Sequence, residues 1–238
     1  MTASFTRFDD RPTIPYTYLL HISFHQRMGE RCHETCVDQV AGILDKSSSL
    51  HYLVDQIQEL GCPVPPGWIQ CSPCDQLGDF RMSGGFAIDP ETRSPTIMIC
   101  ENERLNHQTL EDTLLHELIH AYDVCRAKID FSQCFQHACT EVRASALSGE
   151  CNFSREFRRG NLQIQKGYQK CVKRRAIKSV GANPYCRNIA KEAVESVFEK
   201  CFSDTLPFED HCQSQKKPLL STENSWETLS SLLASPVK

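Results

Sequence analysis

Fourteen cysteines are spread through a chain of 238 residues, at positions 32, 36, 62, 71, 74, 100, 125, 134, 139, 151, 171, 186, 201 and 212. Thiols at that density need a use, and two are available. One is a disulfide framework in an oxidising compartment; the other is a structural metal site. Structural zinc sites show tight Cys or His pairs, and only Cys71-Ser-Pro-Cys74 and Cys32-His-Glu-Thr-Cys36 are close in sequence. Cys71 and Cys74 could join Cys62 and Cys100 around one ion. The scatter of the other cysteines fits disulfide partners better.

The compartment is narrowed by what else the chain carries. Hydrophobic residues make up 40% of it and charged residues 24%, a balance suited to one globular domain with tails. The formal net charge of -4 lacks the basic face of a nucleic-acid binder, so no nucleic-acid partner is expected. No window approaches the ~20 apolar residues of a membrane span, although peripheral attachment is compatible. The opening MTASFTRFDDRP has no apolar run for a secretory signal, and Asp9 and Asp10 argue against an Arg-rich matrix presequence. The mitochondrial intermembrane space would supply oxidation without a secretory signal.

Periodicity divides the chain into an irregular leader over 1–25, a folded domain over 26–204 and a mobile tail over 205–238. Val37, Val40, Ala41, Ile43 and Leu44, then Leu50, Leu53, Val54, Ile57 and Leu60, predict helix over 34–60, with Gly61 as its stop. Residues 84–88 and 96–100 predict two antiparallel strands, separated by Asp89-Pro90 and the turn chemistry through Pro95. Leu110, Leu114, Leu118 and Ala121 mark a helical stripe over 105–126, with Asn106 or Thr109 as its cap. Helices are expected over 135–147, over the basic stretch 152–178, and around Ala190, Ala193, Val194 and Phe198. The predicted class is α+β: mostly helical, with a small antiparallel β-hairpin beside the helix over 105–126.

The chemistry sits in His116-Glu117-Leu118-Ile119-His120, an H-E-x-x-H pattern, which makes the expected α+β domain a zincin-like metallopeptidase with this helix as its active-site helix. Residues four apart share a helix face, so both imidazoles can meet one zinc ion. Glu117 lies beside the first ligand, within reach of a water activated by the metal, and fits a general base. Leu118 and Ile119 fill the two variable positions, as a buried helix requires. Strand 96–100 closely precedes the motif and could hold a substrate backbone extended. A catalytic zinc needs a third protein ligand. Glu141, 21 residues after His120, is favoured. His137 could ligate or stabilise an oxyanion instead, and Asp123 suits a hydrogen bond behind a ligand better than ligation. Tyr122 reads as core packing. A Cys125–Cys139 disulfide would tie the two ligand-bearing helices together.

Several blocks then occur in order. They are Cys71-x-x-Cys74, Ser83-Gly84-Gly85-Phe86, Ile99-Cys100-Glu101-Asn102, Thr113 to Asp123, Cys125-Arg126-Ala127, His137 to Ala144, Leu147 to Cys151, and Val197 to Phe202. With them the chain, from about Cys36 to Pro207, resembles the family of mitochondrial inner-membrane metalloproteases that process subunit 6 of the ATP synthase and assist its assembly. The resemblance implies a zinc endopeptidase of the intermembrane space, peripheral to the inner membrane and oxidatively folded. It implies a polypeptide substrate in subunit 6 and contacts with other assembly factors of that membrane. It also implies a chaperone-like assembly activity for which the peptidase activity is dispensable. Cys32, Cys134, Cys186 and Cys212 stand outside the cysteine set usual in the family. The run from Arg155 through Lys178, which includes Lys170, Arg174 and Arg175, could alternatively make the protein a lipid-surface adaptor.

Overall fold

The computed structural model describes residues 16–74, 82–88, 95–127, 129–151 and 164–208. Residues 1–15, the turn over 89–94, the basic stretch 152–163 with Arg155, Arg158 and Arg159, and the tail from 209 with Cys212 lie outside the described residues.

Helix α1 spans Tyr16–Lys46 and α2 spans Ser48–Glu59. The single helix read over 34–60 is thus two. Ser47 leaves the helical conformation with φ -84 and ψ 104, and its hydroxyl accepts from the Leu50 N–H, a cap that starts a new helix. Helix α1 also begins at Tyr16, inside the stretch read as irregular; no Pro or Gly interrupts the chain between there and Gly29. Gly61 ends α2 with φ +78, the left-handed stop expected of glycine.

Three short strands follow: β1 Ile69–Ser72, β2 Gly84–Ile88 and β3 Pro95–Cys100. Their order is β1-β3-β2. Strands β2 and β3 pair antiparallel, Gly84 opposite Ile99 and Phe86 opposite Ile97, as the sequence predicts. Strand β1 is an addition, parallel to β3 with Ile69 opposite Ile97. It makes β3 the central strand with β1 and β2 on the outside, so residues 96–100 have no open edge to offer an extended backbone. In β3, Ile97 and Ile99 are buried on one face, while Thr96 and Met98 on the other are only half-buried.

Helix α3 covers His107–Ala127, α4 Cys134–Leu147, α5 Ile164–Ala182 and α6 Ala190–Phe202, with a 3-10 turn at Arg187–Ile189 before the last. Asn106 caps α3, its Oδ1 accepting from the Thr109 N–H at 2.9 Å. The apolar residues form two clusters. One joins α1, α2, the sheet and α3, around Ile43, Leu50, Leu53, Ile99, Leu114 and Leu118. The other joins α4, α5 and α6, around Val142, Val172, Val180, Val194 and Phe198. Ile189 lies just before the last helix and is 38% exposed. The α3–α4 pair is the seam between the two clusters.

The cysteines staple each half. Cys36–Cys71, Cys62–Cys125 and Cys74–Cys100 fix the first. Cys134–Cys186, Cys139–Cys201 and Cys151–Cys171 fix the second. The four thiols proposed for a structural ion are therefore consumed in three disulfides. The Cys125–Cys139 bridge does not form, because Cys125 pairs towards α2 and Cys139 towards α6. Cys32 is free and exposed. The domain also reaches past 204. The Tyr52 hydroxyl donates to the Pro207 carbonyl at 2.7 Å, and the ring of Phe208 lies 5.9 Å from that of Tyr52.

Candidate active site

Helix α3 is buried without a break from Asp112 to Asp123, because it has neighbours on both sides. Leu110, Leu114, Leu118 and Tyr122 face the first cluster. The motif residues His116, Glu117 and His120 are buried where α3 meets α4, and Glu141 answers from α4.

His116 Nε2 lies 3.4 Å from Glu141 Oε2, and His120 Nε2 lies 3.6 Å from Glu141 Oε1. Among the described residues these three form the group able to hold a metal ion, their donor atoms within 4.8 Å of one another. Two imidazoles and a carboxylate are a donor set that zinc accepts, and ligand atoms ~2.0–2.1 Å from a tetrahedral ion stand roughly 3.3–3.4 Å apart. Glu141 Oε2 is buried and accepts no hydrogen bond, leaving a lone pair that an ion would satisfy. The residues fit the group.

The ring nitrogens that face away from Glu141 have neighbours too. His120 Nδ1 is 3.0 Å from the Thr140 hydroxyl, and that hydroxyl donates to Asp123 Oδ2 at 2.8 Å. The one hydroxyl proton is thereby committed to the carboxylate, so Thr140 accepts from His120 Nδ1–H and leaves Nε2 unprotonated. Asp123 is held by the Arg143 Nε–H, 3.0 Å from both of its oxygens. Arg143 also donates to the carbonyls of Asp204 and Leu206. On the other ring, His116 Nδ1 is 3.3 Å from Glu150 Oε2.

The two alternative ligands stand outside the metal-competent group. Asp123 lies behind His120, with Thr140 between them. His137 Nδ1 accepts from the Asn183 amide at 3.2 Å, so its Nε2–H points to Glu141 Oε1, also 3.2 Å away. Arg143, two residues after Glu141, pairs with Asp123. The sequence reading missed Thr140, Glu150 and Asn183. Thr140 could have been found as the neighbour of a candidate ligand, and Glu150 as the residue released by the Ser148-Gly149 helix stop. Asn183 carries no local signal.

Burial shapes the charges. It pushes the Glu117 carboxyl up to about 7, the range of a general base at neutral pH. It pulls His120 down to about 3, which keeps the imidazole neutral and able to ligate. Burial would also raise Glu141, but the histidines packed against it, His137 with its Nε2–H among them, outweigh it and hold the carboxyl well below its usual range. Burial works upward on Glu150 as well, and there His116 and Arg175 outweigh it.

Above these groups lies a cleft of about 360 Å³. Gly84, Gly85 and Phe86 of β2 form one wall, with Phe131 and His137 also lining it. Arg175, Lys178 and Ala182 of α5 line it as well. Strand β2 is outermost in the sheet. Gly84 sits there because a Cβ would lie 2.8 Å from both the Met98 carbonyl oxygen and Thr113 Cγ2.

Metal-competent side chains beside an outer strand in an open cleft are the equipment of a peptidase. The chain belongs to the Peptidase M76 family, whose model matches residues 34–209. It is similar to the mitochondrial inner membrane protease ATP23 of Lodderomyces elongisporus, 41% identical over 192 residues, covering 78% of this chain and 76% of that protein. The protein of the same name from Aspergillus clavatus is 45% identical over 179 residues, covering 74% and 72%. That of Debaryomyces hansenii is 38% identical over 193 residues, covering 78% and 77%. No solved structure matches the chain.

Proposed function

We propose that this peptidase is a zinc-dependent metalloendopeptidase of the mitochondrial intermembrane space, peripheral to the inner membrane. Its substrate is a polypeptide, subunit 6 of the ATP synthase, which it processes and helps to assemble. The observation that carries the reading is the buried His116, His120 and Glu141 group with its donor atoms within 4.8 Å. When bound there, zinc supplies the Lewis acidity that polarises the scissile carbonyl and acidifies a water. Glu117 takes the proton from the attacking water and returns it to the leaving amine. Thr140 keeps His120 in the ligating tautomer, and His137 holds Glu141 through its Nε2–H. The outer edge of β2 lines the extended substrate along the cleft.

Metal analysis of the full oxidised chain tests the reading, comparing wild type with His120→Ala and Glu141→Ala. About one zinc per chain in wild type, lost in both variants, is expected. Zinc retained in all three would move the ion elsewhere and end the metallopeptidase reading. Zinc lost only in His120→Ala would pass the third position to His137 or Asp123.

Assembly of the membrane sector is the alternative function, with the peptidase activity dispensable. Phe135, Tyr185 and Ile189 favour a binding role. They are 49%, 81% and 38% exposed, and Phe135 and Tyr185 directly adjoin the Cys134–Cys186 bridge. Exposed apolar groups gathered in this way mark contact sites for partner proteins, here subunit 6 and other assembly factors. Glu117→Gln separates the two activities: it abolishes cleavage and leaves assembly of the ATP synthase intact if the chaperone role stands alone. Peripheral membrane contact falls to α5, which has no acidic residue and exposes Lys170, Arg174 and Lys178 at intervals of four. No described helix is long and apolar enough to cross a membrane.

A further inference from the structure

Three polar atoms around the first histidine lack any well-aligned hydrogen bond: His116 Nδ1, Glu150 Oε2 and Arg175 Nε. They face one another in a row, His116 Nδ1 to Glu150 Oε2 at 3.3 Å and Glu150 Oε2 to Arg175 Nε at 2.5 Å. Glu150 is 7% exposed, and burying a carboxylate is costly unless it is paired. It lies just beyond the end of α4, yet its side chain is buried against His116 and Arg175.

Two local features aim it there. Gly149 adopts φ +87, the left-handed turn that sends the chain back after a helix. The next residue after Glu150 is Cys151, which is bonded to Cys171 on α5. Arg175 lies one helical turn beyond Cys171, on the same face. The disulfide thus brings the α4 exit and one face of α5 together at the point where the carboxylate and guanidinium meet. Glu150 approaches the nitrogen of His116 opposite to the one that faces Glu141, so it stands behind the ligand and is not a fourth member of the group.

We propose that Glu150, held by Arg175, is the positioning residue for His116, and that the Cys151–Cys171 disulfide sets this pair in place. The proposal rests on the metallopeptidase reading. A carboxylate behind a ligating imidazole fixes its tautomer and ring orientation and makes the other nitrogen a better donor. Thr140 does the same for His120 with a hydroxyl. The two ligands of the motif are therefore oriented from different directions, one by α4 and the other by a clamp that reaches α5. Integrity of the Cys151–Cys171 disulfide becomes a condition for tight metal binding, although neither cysteine lies on the helix that carries His116.

Zinc affinity of the full oxidised chain, measured by competition with a chromophoric chelator, tests this. Glu150→Ala should weaken zinc binding by about 10–100-fold. Glu150→Gln, which keeps an acceptor but no charge, should fall between it and wild type. Arg175→Ala alters a side chain 39% exposed and leaves the buried carboxylate in place, so folding is least at risk; it should weaken binding in the same direction. Cys151→Ala with Cys171→Ala should do likewise while the other five disulfides remain. The second readout is the nitrogen NMR spectrum of His116 in the metal-free protein. Wild type should show the His116 Nδ1–H held by Glu150 and protected from solvent exchange, and Glu150→Ala should lose that protection. Glu150→Ala with wild-type affinity and unchanged Nδ1–H protection overturns the proposal. Failure of the metallopeptidase reading looks different: wild type would bind no zinc, or His120→Ala would bind as much, while the exchange measurement still decides whether the clamp orients His116.

Discussion

The hydroxyl of Thr140 lies 3.0 Å from Nδ1 of His120, one residue before the carboxylate that completes the metal-competent group. Because its proton goes to Asp123, this hydroxyl is an obligatory acceptor for the histidine. Thr140→Val keeps the shape and removes the acceptor. Zinc affinity should fall by about 10-fold or more, whereas Thr140→Ser should stay close to wild type. Chelator competition with the three proteins decides; equal affinities would assign the tautomer of His120 to another cause.

Glu117 is strained electrostatically in the metal-free protein. Its carboxyl titrates at about 7 instead of 4.5 because burial disfavours the charge. Between those values the folded state holds a proton that the unfolded state has lost, so stability falls as pH rises through this window. Above it the full cost is present. Glu117→Gln removes the charge and should stabilise the zinc-free chain by at most about 3 kcal/mol at about pH 8, with little effect at about pH 4. Urea unfolding at the two pH values measures this. A stabilisation independent of pH would mean that the carboxyl does not titrate in this range.

Arg143 is buried to 1% exposure and joins three parts of the chain: its own helix, Asp123 on α3 and the segment at Asp204–Leu206. Replacing it by Met leaves Asp123 a buried carboxylate without its main partner, and two carbonyls without donors. A loss of about 3–5 kcal/mol is expected. Asp123→Asn with Arg143→Met should recover part of it. A single variant as stable as wild type by chemical denaturation would sink this account of the seam.

Gly84 and Gly85 are adjacent on β2 but differ in their surroundings. A Cβ on Gly84 would press on Met98 and Thr113, while one on Gly85 meets nothing within 4 Å. Gly84→Ala should cost about 1–3 kcal/mol, and it should lower cleavage by pushing β2 off α3. Gly85→Ala should be tolerated in thermal melts. If both behave alike, close contact is not why glycine occupies position 84.

Legibility followed the range of the interaction. The H-E-x-x-H spacing placed His116 and His120 on one helix face because helical geometry is local. The same holds for Gly61 as a stop, Asn106 as a cap and the apolar stripe of α3. Glu141 could be favoured from its distance along the chain, but His137 and, less aptly placed, Asp123 stayed open as alternatives. Only the packing of α4 on α3 gave Glu141 the face shared with both imidazoles.

By itself the sequence determined the helix that carries the motif, the two antiparallel strands and the need for many disulfides. Each follows from neighbours within a few turns or from residue counts. Tertiary structure decided which cysteines pair, that β3 lies inside the sheet with β2 at its edge, and which groups stand behind each histidine. Nothing in the sequence around Thr140, Glu150 and Arg175 says what their side chains will touch. They meet the motif only because α4, the turn at Gly149 and α5 converge on one side of α3, and a buried polar group is satisfied by whatever the fold brings within hydrogen-bond distance.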